Sequence, residues 1–317
     1  MEKTEIKRRK IKEQIVVVVG YGWVGQANAL SLKMMGYPVS YFDVNKNPIL
    51  HYKDKYKEVY ESIPALHSVL EHDSETTCYI VSVGDRVSED GVQDISLIES
   101  ALNSLHKAKG VVVLRSTVLP DLLKNLHFDF YVPEFLHEKK AVEESLEPFF
   151  FIVGKKKSSN KEEPSFFVAW KKRAHKTFDG TPEEASYIKY LSNIWNSVRI
   201  AFVNEFGNAI ARPNSKENLQ SIERVTNFMF NHRFYMRYGK SFGGHCLPKD
   251  TRAFFNWYKQ KGNDMSLIEG VYRSNSAHQE IEKEHSMMPE WFSEWPDRHV
   301  SAKTALQALW HSIAKRF

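Results

Sequence analysis

Cysteine is scarce in this chain, with only Cys78 and Cys246 among 317 residues. So few cysteines argue against a disulfide-linked secreted domain and fit a reducing compartment. Long apolar runs are also absent, because no stretch approaches the roughly 20 residues that a membrane helix needs. The first fourteen residues are too charged for a secretory signal. We therefore expect a soluble cytoplasmic protein without a membrane partner, in which Cys78 is a core residue.

Neither sign of charge dominates the composition, and the formal net charge is only +5. Lysine-rich segments at 7–10, 155–157 and 171–176 raise the question of nucleic-acid binding. They lack interleaved aromatic residues and any nucleic-acid motif, so we interpret them as a solvated arm and solvated loops. No nucleic-acid partner and no metal site are predicted. A diffuse positive field would still attract an anionic nucleotide.

Residues 15–43 carry the pattern of a dinucleotide-binding unit. Ile15–Val19 is a β-branched run typical of a buried parallel strand, and the glycine turn Gly20–Gly25 follows at once. A helical stretch and a second strand, Val39–Asp43, complete the unit. A carboxylate at Asp43 can accept from both ribose hydroxyls and repels a 2′-phosphate, which favours NAD over NADP, although Lys46 weakens that preference. The predicted cofactor-binding residues are Gly20, Gly22, Trp23, Val24, Gly25, Asp43, Lys46, Ser116 and Thr117.

Strands and helices alternate from residue 15 to residue 154, which predicts a doubly wound parallel α/β sheet of the Rossmann type. Ligands bind at the carboxyl ends of the strands in such sheets. Segments 82–84, 115–118 and 133–136 follow predicted strands, so we expect all three beside the nicotinamide. Further strands are predicted at 78–83, 111–114, 128–132 and 149–153. Segment 155–176 is expected to be a charged connection, with a short element at Phe166–Trp170 as an alternative within it.

Beyond residue 180 the pattern becomes helical. Thr181-Pro182-Glu183-Glu184 combines a hydroxyl cap, a proline in the first turn and two acids, which is a helix start. A long central helix is expected from there to Arg212, with shorter helices at 217–230, 251–261 and 266–280. The predicted domains are a basic arm (1–14), an NAD-binding Rossmann domain (15–180), an all-helical substrate and dimerisation domain (181–280) and a short tail (281–317).

Cys246 stands in the segment Ser241–Asp250, which reads SFGGHCLPKD and is expected to be a loop. The two glycines allow the backbone to approach a ligand closely, and Pro248 stiffens the chain after the cysteine. A thiol beside ionisable partners is a candidate covalent nucleophile, because its neighbours set its thiolate fraction. The alternative is a buried cysteine at a tight turn.

Several motifs occur in a fixed order along the chain. They are Gly20–Gly25, Ser116-Thr117-Val118, Pro133-Glu134-Phe135-Leu136, Lys189 with Asn193, and Gly243-Gly244-His245-Cys246-Leu247-Pro248-Lys249-Asp250. Together they resemble the nucleotide-sugar 6-dehydrogenases, which act on UDP-glucose, GDP-mannose or UDP-N-acetylmannosamine. The resemblance covers residues 15–280 and implies an NAD-dependent, four-electron oxidation of a C6 alcohol to the acid, most directly UDP-glucose to UDP-glucuronate.

The resemblance also implies roles for single residues. Cys246 would hold the intermediate aldehyde as a thiohemiacetal and then as a thioester, which water releases as the acid. Lys189 and Asn193, four apart on one helix face, would stabilise the developing oxyanion; the residues alone also allow a surface lysine and a packing asparagine. The catalytic set is completed by Asp250, which orders water and partners the lysine, by the general base Glu134, and by Thr117, which hydrogen-bonds the water. The predicted substrate contacts are Phe135, Leu136, Glu138, Lys189, Asn193, Arg233 (with Arg237 as the rival), Phe242 and Gly243.

The chain also departs from the family pattern. Gly84-Asp85 stands where many members have Thr-Pro, and Asp121 stands where a glycine often occurs. Family members usually continue into a second nucleotide-binding domain, and the segment after residue 280 is expected to be too short for one. The resemblance implies a homodimer built on helix 183–212, whose apolar side chains exceed what one small domain covers. The alternatives are another nucleotide sugar, a catalytically weak NAD-binding subunit, and a two-electron hydroxyacid dehydrogenase.

Overall fold

A computed structural model describes residues 14–285, apart from residues 232, 234 and 245. The chain forms two compact units. Among the described residues, the first unit comprises residues 14–194 and Pro248–Met265, and the second comprises Trp195–Leu247 and residues 266–285. The predicted boundary at residue 180 between the NAD-binding and helical domains stays a prediction. The predicted basic arm and most of the predicted tail lie outside the described residues.

The first unit is built on a seven-stranded sheet, accompanied by a two-stranded ribbon. The strands are β1 (Ile15–Val19), β2 (Val39–Phe42), β3 (Thr77–Val81), β4 (Arg86–Val87), β5 (Gln93–Asp94), β6 (Val111–Leu114), β7 (Phe130–Tyr131), β8 (Phe150–Lys155) and β9 (Lys176–Gly180). The sheet order is β2-β1-β3-β6-β7-β8-β9, and β4 pairs with β5 in the ribbon. Within the sheet all neighbours pair in parallel except β7 and β8, which run antiparallel. The predicted doubly wound sheet is confirmed.

Nine α-helices are present among the described residues. They are α1 (Trp23–Met34), α2 (Lys53–Glu61), α3 (Ser96–Ser104), α4 (Ala141–Leu146), α5 (Ser165–Arg173), α6 (Pro182–Ile210), α7 (Lys216–Phe230), α8 (Cys246–Gln260) and α9 (Ser266–Glu284). Between residues 14 and 285, none of them combines the length and the hydrophobicity that crossing a bilayer requires.

The two faces of the sheet bury separate cores, because successive side chains of a strand point to opposite faces. On one face Val16 and Val18 of β1 lie in a cluster with Phe167 and Trp170 of α5. On the other face the intervening valines of β1 share a cluster with side chains of α3. Cys78 is 0% exposed in the first cluster, which confirms its predicted core position.

Helix α6 begins where the sequence predicts. The backbone N–H of Glu184 donates to Oγ1 of Thr181 at 3.2 Å, and the backbone N–H of Thr181 donates to Oε2 of Glu184 at 2.7 Å. This reciprocal capping box satisfies two N–H groups at the start of the helix. The N-terminal end of α6 is therefore fixed by local sequence.

The second unit packs helices against a loop that follows α7. Val203 of α6, Ile222 of α7 and Tyr238 of the loop are buried together. A Cβ added to Gly207 would lie 2.1 Å from Cδ2 of Tyr238, so the ring lies directly against the helix backbone. Glycine at this position permits the close approach.

Two sequence predictions of local structure are wrong. Segment 155–176, predicted as a charged connection, contains α5, which includes the short element considered at Phe166–Trp170, and also the start of the edge strand β9, which was not predicted. The loop predicted around Cys246 ends at Gly244, which has φ +71°, and α8 begins at Cys246 itself. Pro248 is compatible with this helix because the first turn of a helix does not need its missing N–H.

Candidate active site

The glycine turn after β1 forms a tight strand-to-helix connection. Gly20 has φ +87°, a conformation that side chains disfavour. A Cβ added to Gly25 would lie 1.9 Å from the carbonyl oxygen of Gly20, so only glycine allows α1 to start this close to the strand. A Cβ added to Gly22 would meet nothing within 4 Å, which leaves the outer side of the turn open to a ligand.

Asp43 follows β2 and is held by backbone N–H groups. Its Oδ2 accepts the N–H of Tyr21 at 2.5 Å, and its Oδ1 accepts the N–H of Asn45 at 2.7 Å. The carboxylate therefore lies beside the glycine turn, where a ribose acceptor is expected.

The remaining predicted residues at this end lie around the turn. Lys46 is exposed, and its ammonium lies 5.3 Å from the centre of the Phe42 ring. Trp23 is 40% exposed and stacks on His51 with ring centres 3.9 Å apart. The backbone carbonyl of Val24 accepts from the side chain of Asn28, within α1.

These features match what a dinucleotide requires. The open outer side of the glycine turn and the N–H groups of the first turn of α1 suit a pyrophosphate, and Asp43 suits a ribose. The residues present therefore fit NAD, held by Gly20–Gly25 and Asp43. The three segments predicted beside the nicotinamide follow β3, β6 and β7. Two of them are in contact, since Ser116 after β6 donates its hydroxyl to the carbonyl of Val83 after β3 at 2.5 Å.

A cluster of charged and amide side chains is buried in the first unit. Nδ2 of Asn193 on α6 donates to Oδ2 of Asp250 on α8 at 2.6 Å. The ammonium of Lys249 donates to Oδ1 of Asp250 at 2.6 Å and to both carboxylate oxygens of Asp85 at 2.8 Å. The structure thus brings together two predicted catalytic residues, Asn193 and Asp250, that are 57 positions apart.

Lys189, another predicted catalytic residue, is also buried in the first unit. It is 4% exposed, and its ammonium lies 5.1 Å from the centre of the Phe135 ring. Phe135, a predicted substrate contact, thereby provides a cation–π contact for the predicted oxyanion-stabilising lysine. The partners seen for Asp250 are Asn193 and Lys249, and the predicted pairing of Asp250 with Lys189 stays a prediction.

Glu134 follows β7, close to a buried arginine. Its Oε2 accepts the backbone N–H of Leu136 at 2.9 Å. Arg115, at the end of β6, is 6% exposed and lies with its guanidinium 5.4 Å from the centre of the Trp170 ring. Burial lowers the pKa of Arg115 to about 10, and the Glu134 carboxylate opposes that effect. The side chain of Glu138, another predicted substrate contact, lies outside the described part of the structure.

The second unit holds the other predicted site residues. Cys246 is exposed at the first position of α8, which is a place where a helix dipole favours a thiolate. Its exposure argues against the buried-cysteine alternative. Arg233 is exposed, Arg237 is half-buried, and Gly243 is half-exposed.

Phe242 occupies a different environment from the one expected of a substrate contact. It is 0% exposed in the core of the second unit. Its backbone N–H donates to Oδ1 of Asn275 at 2.8 Å. Phe242 is therefore a packing residue in this structure, and its contact with substrate stays a prediction.

The sequence reasoning missed three members of the buried cluster: Asp85, Lys249 and Gln93. Nε2 of Gln93 donates to Oδ2 of Asp85 at 2.6 Å and to the carbonyl of Thr117 at 3.0 Å. Asp85 was visible only as a departure from a family pattern, and Lys249 only as the neighbour of Asp250. For Asp85 the available signal was a charged residue four positions after the end of the buried strand β3, near the carboxyl end of the sheet.

Comparison with known proteins agrees with this geometry. The model of the UDP-glucose/GDP-mannose dehydrogenase family, NAD binding domain, matches residues 14–169, and the model of the central domain of the same family matches residues 183–277. The chain belongs to the UDP-glucose/GDP-mannose dehydrogenase family. The recognised family and NAD as the cofactor are thereby confirmed.

Characterised members of this family are moderately similar in sequence. The chain is 27% identical over 301 residues to the GDP-mannose 6-dehydrogenase of Pseudomonas aeruginosa, covering 82% of this chain and 68% of that protein. It is 28% identical over 298 residues to the UDP-glucose 6-dehydrogenase of Rickettsia bellii, covering 82% of this chain and 66% of that protein. The chain thus spans about two thirds of the length of these relatives.

Solved structures support the fold. A UDP-glucose dehydrogenase from the archaeon Pyrobaculum islandicum superposes with a TM-score of 0.71 at 25% identity, covering 85% of this chain and 69% of that one. The match includes both the Rossmann-like sheet and the helices that follow it. The predicted fold class is therefore confirmed.

Proposed function

We propose that the protein is an NAD-dependent oxidoreductase that oxidises the C6 alcohol of a nucleotide sugar to the acid, with UDP-glucose as the substrate. The observation that carries the proposal is the buried contact between Asn193 and Asp250, with the buried Lys189 one turn before Asn193 on the same helix. Packing alone does not require charged residues in this cluster, because buried charges are costly unless they are paired. The ammonium of Lys189 and the amide N–H groups of Asn193 are of the kind that stabilise developing negative charge, and the carboxylate of Asp250 orients the amide.

Lys189 and Asn193 would act on the oxygen of the reacting alcohol. When bound, NAD would supply the hydride acceptor for both oxidation steps. The ammonium of Lys189 would stabilise an alkoxide-like oxygen by charge, and an N–H of Asn193 by a hydrogen bond. Asp250 would hold the Asn193 amide in one orientation while it does so.

Cys246 would retain the aldehyde between the two oxidations. Its thiolate adds to the carbonyl carbon, forming a C–S bond while the carbonyl oxygen takes the negative charge. After the second oxidation the same carbon is a thioester. The position of Cys246 at the start of α8 favours the thiolate that this addition needs.

Glu134 and Thr117 would act in the hydrolysis of the thioester. The Glu134 carboxylate would take a proton from water as the water attacks the thioester carbon, and the Cys246 sulfur would leave as thiolate. The hydroxyl of Thr117 would hydrogen-bond that water. The net result is one acid from one alcohol.

The proposed assembly is a homodimer built on α6. Leu191 is 68% exposed, and Trp195, Phe202 and Phe206 are each 54% exposed on this helix. Four large apolar side chains exposed along one helix favour burial against a second copy of the chain.

A panel of sugar nucleotides tests the proposal. NAD reduction would be followed at 340 nm with UDP-glucose, GDP-mannose and UDP-N-acetylmannosamine, and the products quantified. Two NADH per sugar acid with UDP-glucose supports the proposal, whereas activity confined to GDP-mannose or UDP-N-acetylmannosamine replaces the substrate. One NADH per substrate indicates a two-electron dehydrogenase. Tight NAD binding without turnover on any sugar indicates a binding subunit.

A further inference from the structure

Two acids at departures from the family pattern form ion pairs with lysines at the two ends of α8, one inside the helix and one just after it. Asp85 pairs with Lys249 near the start of the helix, and Asp121 pairs with Lys261 just after its end. The side chains of Asp85 and Lys249 are 6% and 11% exposed, whereas those of Asp121 and Lys261 are 42% and 40% exposed. Exposed pairs contribute little, while breaking a buried pair leaves an uncompensated charge. The loss of the Asp85–Lys249 pair should therefore have the larger energetic effect of the two.

Asp85 is itself held firmly in place. Gln93 of the ribbon donates to Oδ2 of Asp85 at 2.6 Å, and Oε1 of Gln93 accepts the backbone N–H of Leu119 at 2.9 Å. The ribbon turn approaches α8 closely, since a Cβ on Gly91 would lie 2.7 Å from Cβ of Asn256. The ribbon thus fixes Asp85 relative to the backbone that follows β6.

We propose that Asp85 is a positioning residue, which acts through Lys249 to fix the carboxylate of Asp250 and, through it, the amide of Asn193. This inference rests on the proposed function, in which Asn193 acts on the substrate oxygen. The described contacts form a continuous series from Asp85 to Lys249, Asp250 and Asn193, each between 2.6 and 2.8 Å. Within this series, the family resemblance implies roles for Asp250 and Asn193 and for neither Asp85 nor Lys249.

The charge balance explains why Asp85 is needed. Lys249 lies between two carboxylates, so its ammonium is held from both sides. Burial by itself lowers the pKa of Lys249, but the carboxylates of Asp250 and Asp85 raise it well above its usual range. Without the Asp85 charge, Asp250 is the one anionic partner left to Lys249 among the described residues, and Lys249 draws that carboxylate out of line with Asn193. The orientation of the Asn193 amide is then lost.

The test compares Asp85→Asn with Asp121→Asn, which makes the same chemical change at the exposed ion pair of the same helix. One readout is the side-chain amide ¹H–¹⁵N signal of Asn193, assigned by its disappearance in Asn193→Ala. The other is the steady-state kinetics of NAD reduction. We expect Asp85→Asn to shift the Asn193 signal and lower kcat roughly 10- to 100-fold, the range for a lost hydrogen bond to a charged group. KM for NAD should stay within about twofold, and Asp121→Asn should change neither readout.

The outcomes separate this inference from the proposed function. A folded Asp85→Asn protein with an unmoved Asn193 signal overturns the inference, whatever the activity. A shifted signal in a protein that oxidises no sugar nucleotide upholds the positioning and overturns the proposed function. An equal loss of kcat in Asp121→Asn also overturns the inference, because it would indicate loosening of α8 as a whole. If Asp85→Asn does not fold, Asp85→Glu keeps the charge but displaces it by one methylene, and its Asn193 signal must then shift.

Discussion

The carboxylate of Asp43 accepts the backbone N–H of Tyr21 at 2.5 Å, so the residue predicted to select the cofactor also holds the glycine turn. A second N–H, from Asn45, satisfies the other oxygen. Cofactor choice and the shape of the turn therefore depend on one side chain.

Asp43→Ala should narrow the preference for NAD over NADP. The variant removes an anion that repels a 2′-phosphate and also a hydrogen bond to the turn, so we expect NAD to bind on the order of 10-fold more weakly while NADP changes less. Isothermal titration with both cofactors measures the ratio. Asp54→Ala, an exposed acid on α2, should leave both affinities unchanged. Tighter binding of NADP than NAD by the unaltered protein would contradict the prediction.

Replacing Cys246 should stop acid formation without preventing NAD binding. Cys246→Ala should form no acid, and Cys246→Ser should accumulate a covalent sugar adduct, because an ester is hydrolysed less readily than a thioester. Mass spectrometry of the intact protein detects the adduct. Cys78→Ala is the control, since Cys78 is buried in the core, and it should still give two NADH per sugar. A folded Cys246→Ala protein that forms acid at the normal rate would show that no covalent step occurs.

The exposed apolar side chains of α6 should support a dimer. Light scattering at micromolar concentration should give twice the chain mass of 36.8 kDa. Phe202→Glu should shift the protein to monomer, because a charge in a buried interface is costly. Leu267→Glu, at a residue that is 69% exposed on α9, should leave the dimer intact. A monomer in the unaltered protein disproves the proposed assembly.

The same substitution at two helical glycines should have opposite effects on stability. Gly270→Ala on α9 meets nothing within 4 Å and should stabilise the protein by about 0.5–1 kcal/mol, as alanine does in helices. Gly207→Ala places a Cβ 2.1 Å from the buried Tyr238 ring and should destabilise it by roughly 1–3 kcal/mol. Chemical denaturation measures both values. Stabilisation by Gly207→Ala would show that Tyr238 does not pack against this helix.

His278 should make the protein less stable in mild acid. Its Nδ1 lies 2.9 Å from Nδ2 of Asn208 and its Nε2 lies 2.7 Å from the carbonyl of Gly239, an arrangement that fits a neutral ring. Burial lowers the pKa of His278 below its usual value of 6.5, an effect that the Gly239 carbonyl and Glu282 oppose. The unfolded chain therefore binds the proton first, and stability should fall as pH drops through 6.5 toward the lowered pKa.

Thermal unfolding between pH 7.5 and 5.5 measures the effect of His278. The loss of melting temperature over this range should be smaller in His278→Gln than in the unaltered protein. His72→Gln, at an exposed histidine, should show the full loss. Equal pH dependence in His278→Gln and the unaltered protein would exclude His278 as its source.

Local signals account for the parts of the fold that could be predicted. The glycine turn and the capped start of α6 are set by residues adjacent in sequence, so their patterns are visible there. The edge strand β9 was missed because it has no buried residue and therefore lacks the alternation of apolar and polar residues by which a strand is predicted.

The site was predictable only in part, because a sequence pattern shows neighbours along the chain and not contacts between distant residues. Lys189, Asn193 and Asp250 came from motifs that the family shares. The partnership of Asp85 with Lys249 joins positions 164 residues apart, and no local pattern encodes such a contact.

The antiparallel pairing of β7 with β8 determines which part of α6 lies near the segments that follow β3, β6 and β7. Strands β8 and β9 run opposite to the other strands of the sheet. Their carboxyl ends therefore lie at the opposite end of the sheet from the segments that follow β3, β6 and β7. Helix α6 begins directly after β9 and returns across the sheet, with Ser186 donating to the carbonyl of Val118 at 2.6 Å on the way. At about 1.5 Å per residue, three turns separate the start of the helix from Asn193. With β8 reversed, the same helix would start at the end of the sheet where β3, β6 and β7 terminate, and Lys189 and Asn193 would lie farther from the segments that follow those strands.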